Sequence, residues 1–297
     1  MNTAADTNIK MRDILRLYAD RRMAKILLLG FISGFPWLLI GSMLALWLKE
    51  EGVSRTGIGL FGILFSVYAV NALWAPLVDK IRIPLLHRLF GKRRAWILLM
   101  QLVIACALFG MFLLPGAAEY RWWVALFAFM IALASATQDV AIDATRIEML
   151  ASVEAHKIGA GSAMATSGWW LGFGGGKVIA LPLVEQLQNM GIANAWQAGY
   201  LAMIVIVVLS MIAVVVFLRP TEEKEEKEKK EAAEIAETAT TATKDNEPEV
   251  IEIVTKPWRL YTEPLRDFIT RYTLKPALLL LCFIIFFKIG EAFLGRM

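Results

Sequence analysis

WVALFAFMIALASATQDVAID, residues Trp123–Asp143, is apolar for its first half and then takes on Ser135, Thr137, Gln138, Asp139 and Asp143. At ~1.5 Å per residue, a helix of about 20 such residues crosses the ~30 Å hydrocarbon core of a bilayer. The spacing of Asp139 and Asp143 puts both carboxylates on one face of that helix, one above the other. A carboxylate in hydrocarbon is costly, so the pair requires a reason.

Similar runs lie on both sides. Lys25–Leu48, Ile58–Val78, Ala95–Leu114, Gly159–Pro182 and Ala198–Leu218 each match one bilayer crossing, and a seventh run begins near Pro276 and reaches Met297. The chain is 58% hydrophobic with a mean hydropathy of +0.56. Soluble domains are nearer ~45–50% apolar, so the class is an all-α, multi-pass membrane protein. The net charge of +4 is small and unevenly spread, which gives no case for nucleic acid. Basic residues instead gather beside the apolar runs, where anionic lipid headgroups would meet them. Cys106 and Cys282 lie inside apolar runs, and His87 and His156 fall in predicted loops with no second ligand nearby. Neither a disulfide framework nor a metal site is expected. No cofactor motif is present either.

Orientation follows from the loops. The N-terminus through Lys25 carries six Lys and Arg, and Lys80–Arg94 carries six more; Lys49–Gly57, Pro115–Trp122 and Leu183–Gln197 carry two, one and none. The N-terminus and the 2–3, 4–5 and 6–7 loops are therefore expected inside the cell. On this reading residues 1–24 form a cytoplasmic N-terminus and 25–218 a six-helix unit. Residues 219–275, which include the run TEEKEEKEKK, form a charged cytoplasmic linker with an interfacial segment, and 276–297 a seventh helix cut short at GEAFLGRM. Six spans, a linker and a new span is the plan of a transporter with two six-helix halves. The chain is thus expected to hold the N-terminal half, lack the C-terminal six-helix half, and be inactive alone.

Several polar residues interrupt the runs. Asp143 reaches the inner interface with Arg146 three residues on, and reads either as a salt-bridged helix end or as part of a gate. Asp139 lies a turn deeper beside Gln138 and is the candidate proton carrier. Asp79, ending LWAPLVD, faces Lys92, Arg93 and Arg94 of GKRR; the set reads as a latch, with Arg146 a further candidate, or as topology signalling alone. LGFGGGKVIA places Lys177 in the fifth run. Leu171 and Val178 rule out a phosphate loop, so its glycines read as sites of close helix approach or bending. Lys177 is left to snorkel, to pair with a carboxylate, or to meet an anionic substrate. GFISGFPW puts Gly34 and Pro36 mid-span, where a kink is expected. Tyr68, Asn71, Ser33 and Ser42 could line the same path, while Lys288 and Glu291 are spaced to pair with each other.

GFISGFP, LWAPLVDKIRIP with GKRRAW, SATQDVAIDA, PLRDF and FKIGEAF together resemble the AmpG-type muropeptide permeases of the major facilitator superfamily. The resemblance implies the N-terminal six-helix half of that fold plus an incomplete seventh transmembrane helix. It also implies proton-coupled import of N-acetylglucosaminyl-anhydro-N-acetylmuramyl peptides across the bacterial inner membrane. It carries onto Gln138, Asp139 and Asp143 as an acidic fourth-helix motif, and onto Asp79, Arg93 and Arg94 as an inner gate. Where the family commonly has an Arg before the Leu-Gly of the fifth span, this chain has Trp169 and Trp170; Lys177 could supply the charge and the tryptophans could face sugar rings. Two other readings stay open. One is a carrier of the same superfamily for another substrate, such as acyl-coenzyme A. The other is a membrane-embedded Mg²⁺-dependent transferase using the aspartate pair, for which one pair supplies few ligands.

Overall fold

The computed structural model describes residues 18–151 and 155–218, together with Pro276, Leu279 and Phe283. Among the described residues the secondary structure is helical. Five helices among the described residues are long and apolar enough to cross a membrane: α1 (Arg21–Glu50), α2 (Arg55–Leu73), α5 (Lys92–Leu113), α6 (Arg121–Leu150) and α9 (Ala195–Phe217). Between α2 and α5 lie two short helices, α3 (Ala75–Lys80) and α4 (Pro84–Phe90). The fifth apolar run forms α7 (Ala155–Trp170), a π turn over Leu171–Gly175, and α8 (Gly176–Asn189). It is helical from end to end, and its many Gly, Ser and Thr residues dilute its hydropathy. The linker, the interfacial segment, Lys288 and Glu291 lie outside the described residues.

Packing centres on α1, which meets α7 along its length and also touches α6; α5 lies between α6 and α9, and α8 packs on α9. The α1–α7 contact is made by glycines. A Cβ on Gly30 or Gly34 would run into the backbone carbonyl of Ala165 or Trp169, and one on Gly168 or Gly172 into that of Leu27 or Phe31. Two helices thus meet backbone to backbone, from both sides, at a four-residue period. This is the close approach that small residues allow where hydrocarbon offers no hydrophobic drive. Gly176 extends the row against Leu38, whereas Gly175 faces open space. Close approach therefore explains Gly172 and Gly176 but not the whole glycine run.

Pro36 does not end α1. Lacking an N–H, it leaves the Ile32 carbonyl without its usual helical donor. The buried Gln138 side chain of α6 donates its Nε2–H to that oxygen at 3.2 Å. The ladder then widens into a π turn over Leu38–Met43 before α1 resumes. α2 is more broken, with 3₁₀ turns at Gly62–Phe65 and Asn71–Leu73. His87, placed in a loop by the sequence pattern, falls inside α4, which Pro84 starts at its first turn and Gly91 ends at φ 77°.

The loop ends opposite the basic 2–3 loop are tied by side chains. Glu50 accepts hydrogen bonds from Gln188 Nε2 and Trp196 Nε1, each at 2.7 Å. Gln197 Nε2 donates to the Leu114 and Pro115 carbonyls at 2.8 and 3.1 Å. Inside the bundle, Gln101 Nε2 donates to Ser210 Oγ at 2.8 Å and joins α5 to α9.

Two alanine substitutions separate the roles of the glycines. Gly172→Ala forces α1 and α7 apart and costs about 1–3 kcal/mol. Gly175→Ala meets nothing and is neutral or stabilising, because it lowers the backbone entropy lost on folding. Thermal unfolding of the two variants in detergent tests the difference.

Candidate functional site

Part of the polar stretch of α6 faces the α2–α3 side. Asn71 Nδ2 approaches the Ala136 carbonyl at 3.5 Å, and Trp74 Nε1 donates to Thr137 Oγ1 at 3.0 Å. Tyr68, buried, lies within electrostatic reach of Asp139 and beside Ser135. Asp139 is itself half-buried. The structure therefore gathers Tyr68, Asn71 and Asp139 where α2 and α6 meet. Gln138 points the other way and braces the α1 backbone.

A belt of aromatic rings adjoins this cluster. Trp37 contacts Phe65 and Tyr68 with ring centroids at 4.8 and 4.7 Å, and it meets Trp169 edge-on at 5.7 Å. Trp169 in turn contacts Trp170 and Phe173 at 5.2 and 5.1 Å. Lys177 Nζ sits 3.7 Å above the Phe173 ring centroid, a cation–π contact that holds the ammonium at the end of the belt. Trp37 and Phe173 were not singled out from sequence. An aromatic directly after Pro36 and another inside the glycine run are the available signals, and neither is specific.

The charged groups near the 2–3 loop divide into two sets. Arg93 bridges Asp79 and Glu148, the latter at 3.2 Å, joining α5 to α3 and to the end of α6. Arg94 instead lies over the Phe90 ring, 5.7 Å from its centroid. Arg146 stays apart from that network and pairs with Asp143 at 3.0 Å. Glu148 occupies the place that sequence offered to Arg146. Because α6 continues to Leu150, Glu148 is still on a helix and is carried round to the Arg93 side.

The Asp143–Arg146 pair opens on a cavity of about 310 Å³ walled by α1, α6 and α7. Ser33 and Gly30 come from α1, Ile142 from α6, and Thr166 and Trp169 from α7. Trp169 therefore joins the cavity to the aromatic belt. Ser33 and Trp169 fall within one site, while Lys177 lies further along the same helix run.

Taken together, the bundle presents a half-buried carboxylate, a row of aromatic faces, a cation and an adjoining cavity, on helices that match whole bilayer crossings. Residues 26–294 match the family model of the Major Facilitator Superfamily. The chain belongs to that superfamily. It is a multi-pass membrane protein with the all-α half-unit of that fold. It is 30% identical over 279 residues to the anhydromuropeptide permease of Escherichia coli (strain K12), an alignment that covers 94% of this chain and 48% of the permease. A Rickettsia conorii protein named as transporter AmpG 4 is 30% identical over 289 residues, 95% of this chain and 60% of that protein. The chain spans about half the length of the permease it matches.

The contrast between Gln138 and its neighbours is testable by a double-mutant cycle. Gln138→Leu leaves the Ile32 carbonyl buried without a donor and costs about 1–3 kcal/mol. In a Pro36→Ala background the restored backbone N–H takes that place, and the same Gln138→Leu change costs clearly less. Denaturation midpoints of the four proteins give the coupling.

Proposed function

We propose that the protein belongs to a proton-coupled symporter that imports peptidoglycan-derived anhydro-muropeptides across the bacterial inner membrane, this chain supplying the first six-helix half with its N-terminus inside. The observation that carries the reading is its identity with the E. coli permease along nearly the whole chain. The belt and the polar cluster support it, since they are the parts a sugar-peptide and a proton would use.

In this reading Asp139 carries the coupling proton. It lies within electrostatic reach of Tyr68 and one turn along α6 from Ala136, whose carbonyl Asn71 approaches, so a change in its charge alters how α2 and α6 attract each other. Trp169 and Trp170 offer flat faces to sugar rings, and Lys177 offers a cation to the anionic peptide. Arg93, held between Asp79 and Glu148, is the inner latch that opens and closes as the two halves rock. Lys288 and Glu291 contribute contacts toward the second half. No cofactor enters the cycle and the substrate leaves unchanged, so the protein is a carrier and not an enzyme.

Uptake of labelled anhydro-muropeptide into vesicles bearing a proton gradient tests the assignment in the transporter with both halves. Asp139→Asn brings gradient-driven accumulation to background. Accumulation at the unsubstituted level removes Asp139 from the coupling step. Trp169→Ala weakens apparent affinity about tenfold, the factor expected for one lost aromatic contact.

A further inference from the structure

We infer that the basic 2–3 loop carries a binding site for one anionic phospholipid, whose phosphate lies between Arg82 and Lys92 and whose acyl chains cover Leu85 and Leu89. The inference stands on the membrane placement of the helices and does not need the transport reading.

The loop is folded so that its cations converge. Trp96 Nε1 donates to the Ile81 carbonyl at 3.1 Å, which fastens the end of α3 to the start of α5. Lys92 and Trp96 are four residues apart and share one face of α5. Arg82 follows Ile81 in the chain and is thereby brought within electrostatic reach of Lys92, as is Arg93. Asp79 and Glu148 lie within the same reach, but Arg93 already bridges the two. Among the described residues Lys80, Arg82, Arg88 and Lys92 form no ion pair. The corner thus holds cations drawn together against their own repulsion, with the nearby carboxylates engaged. An anion from outside the chain balances that charge.

The surface beside the cations says which anion. Leu85 and Leu89 lie one turn apart on α4, 72% and 66% exposed, so little of the described protein covers either. Ile81 is exposed next to them. An apolar edge flanked by cations is what an interfacial segment presents: the edge meets acyl chains while the cations stay at phosphate level. Trp96 is an indole at the start of a crossing, the depth that tryptophans favour. Free phosphate satisfies the cations but leaves both leucines in water. A zwitterionic lipid covers the leucines but brings a further cation to a corner that has a surplus. An anionic phospholipid meets both needs. The Arg82 guanidinium takes two phosphate oxygens in parallel and the Lys92 ammonium adds a point charge. The bound phosphate also offsets the repulsion between Lys92 and Arg93, which steadies the bridge from Asp79 to Glu148.

The test is thermal unfolding of the 297-residue chain in a neutral detergent, titrated with phosphatidylglycerol, phosphatidylcholine or inorganic phosphate. Phosphatidylglycerol raises the midpoint and saturates, whereas the other two leave it in place. In Arg82→Gln/Lys92→Gln half-saturation moves to about tenfold or more higher lipid. Arg82→Lys/Lys92→Arg keeps most of the affinity, which separates loss of charge from loss of fold. Leu85→Asn/Leu89→Asn weakens the lipid several-fold. Arg88→Gln, which removes a loop cation outside the cluster, leaves half-saturation unchanged. A matching rise with phosphatidylcholine or with inorganic phosphate overturns the inference. So does unchanged half-saturation in Arg82→Gln/Lys92→Gln, or an equal loss in Arg88→Gln, which marks diffuse attraction and no site.

Discussion

The contact between α1 and α7 is the constraint on which the rest depends. Gly30 and Gly34 receive the backbone of one helix while Gly168 and Gly172 receive that of the other. In hydrocarbon, apolar side chains gain nothing by leaving lipid for protein, so helix association relies on close packing and polar contacts. A glycine row on each helix brings both backbones nearer than any side chain would allow. That distance places Trp169 against Trp37 and sets the width of the cavity shared with α6.

The close approach also constrains α1 internally. Pro36 lies just after Gly34 and deprives the helix of a donor in the region where neighbouring backbones are tightest. Gln138 supplies the missing donor from α6, so the same stretch is held from two directions. The π turn beyond Pro36 then turns Leu38, Leu39 and Met43 into the core. A defect in hydrogen bonding is thereby confined to one turn, and the residues flanking Gln138 on α6, Thr137 and Asp139, remain directed at the α2–α3 side.

Much of this was legible from residues alone. Apolar run length located the crossings, because a bilayer imposes a fixed thickness on any chain that spans it. Asp139, Tyr68 and Asn71 stood out because polar groups in such runs need an explanation. What sequence left undecided was direction around the helix axis. Gln138 and Asp139 are neighbours in the chain, yet a rotation of about 100° sends one to α1 and the other toward α2. The division of the charged groups was equally hidden. Arg146 and Glu148 both follow Asp143 closely, and only the packing of α6 against α5 and α7 assigns Glu148 to Arg93 and Arg146 to the cavity.

The sequence by itself determined the class, the approximate place of the long apolar helices among the described residues, and which side chains carry charge where charge is costly. Those properties depend on composition along one axis, and a membrane reads a chain along that axis. The tertiary structure decided which residues share a site. Ser33, Asp143, Arg146, Thr166 and Trp169 come from three helices, and their meeting depends on how closely glycine backbones approach and how far each helix is rotated about its axis. No local pattern encodes either quantity, because each arises only when two helices pack.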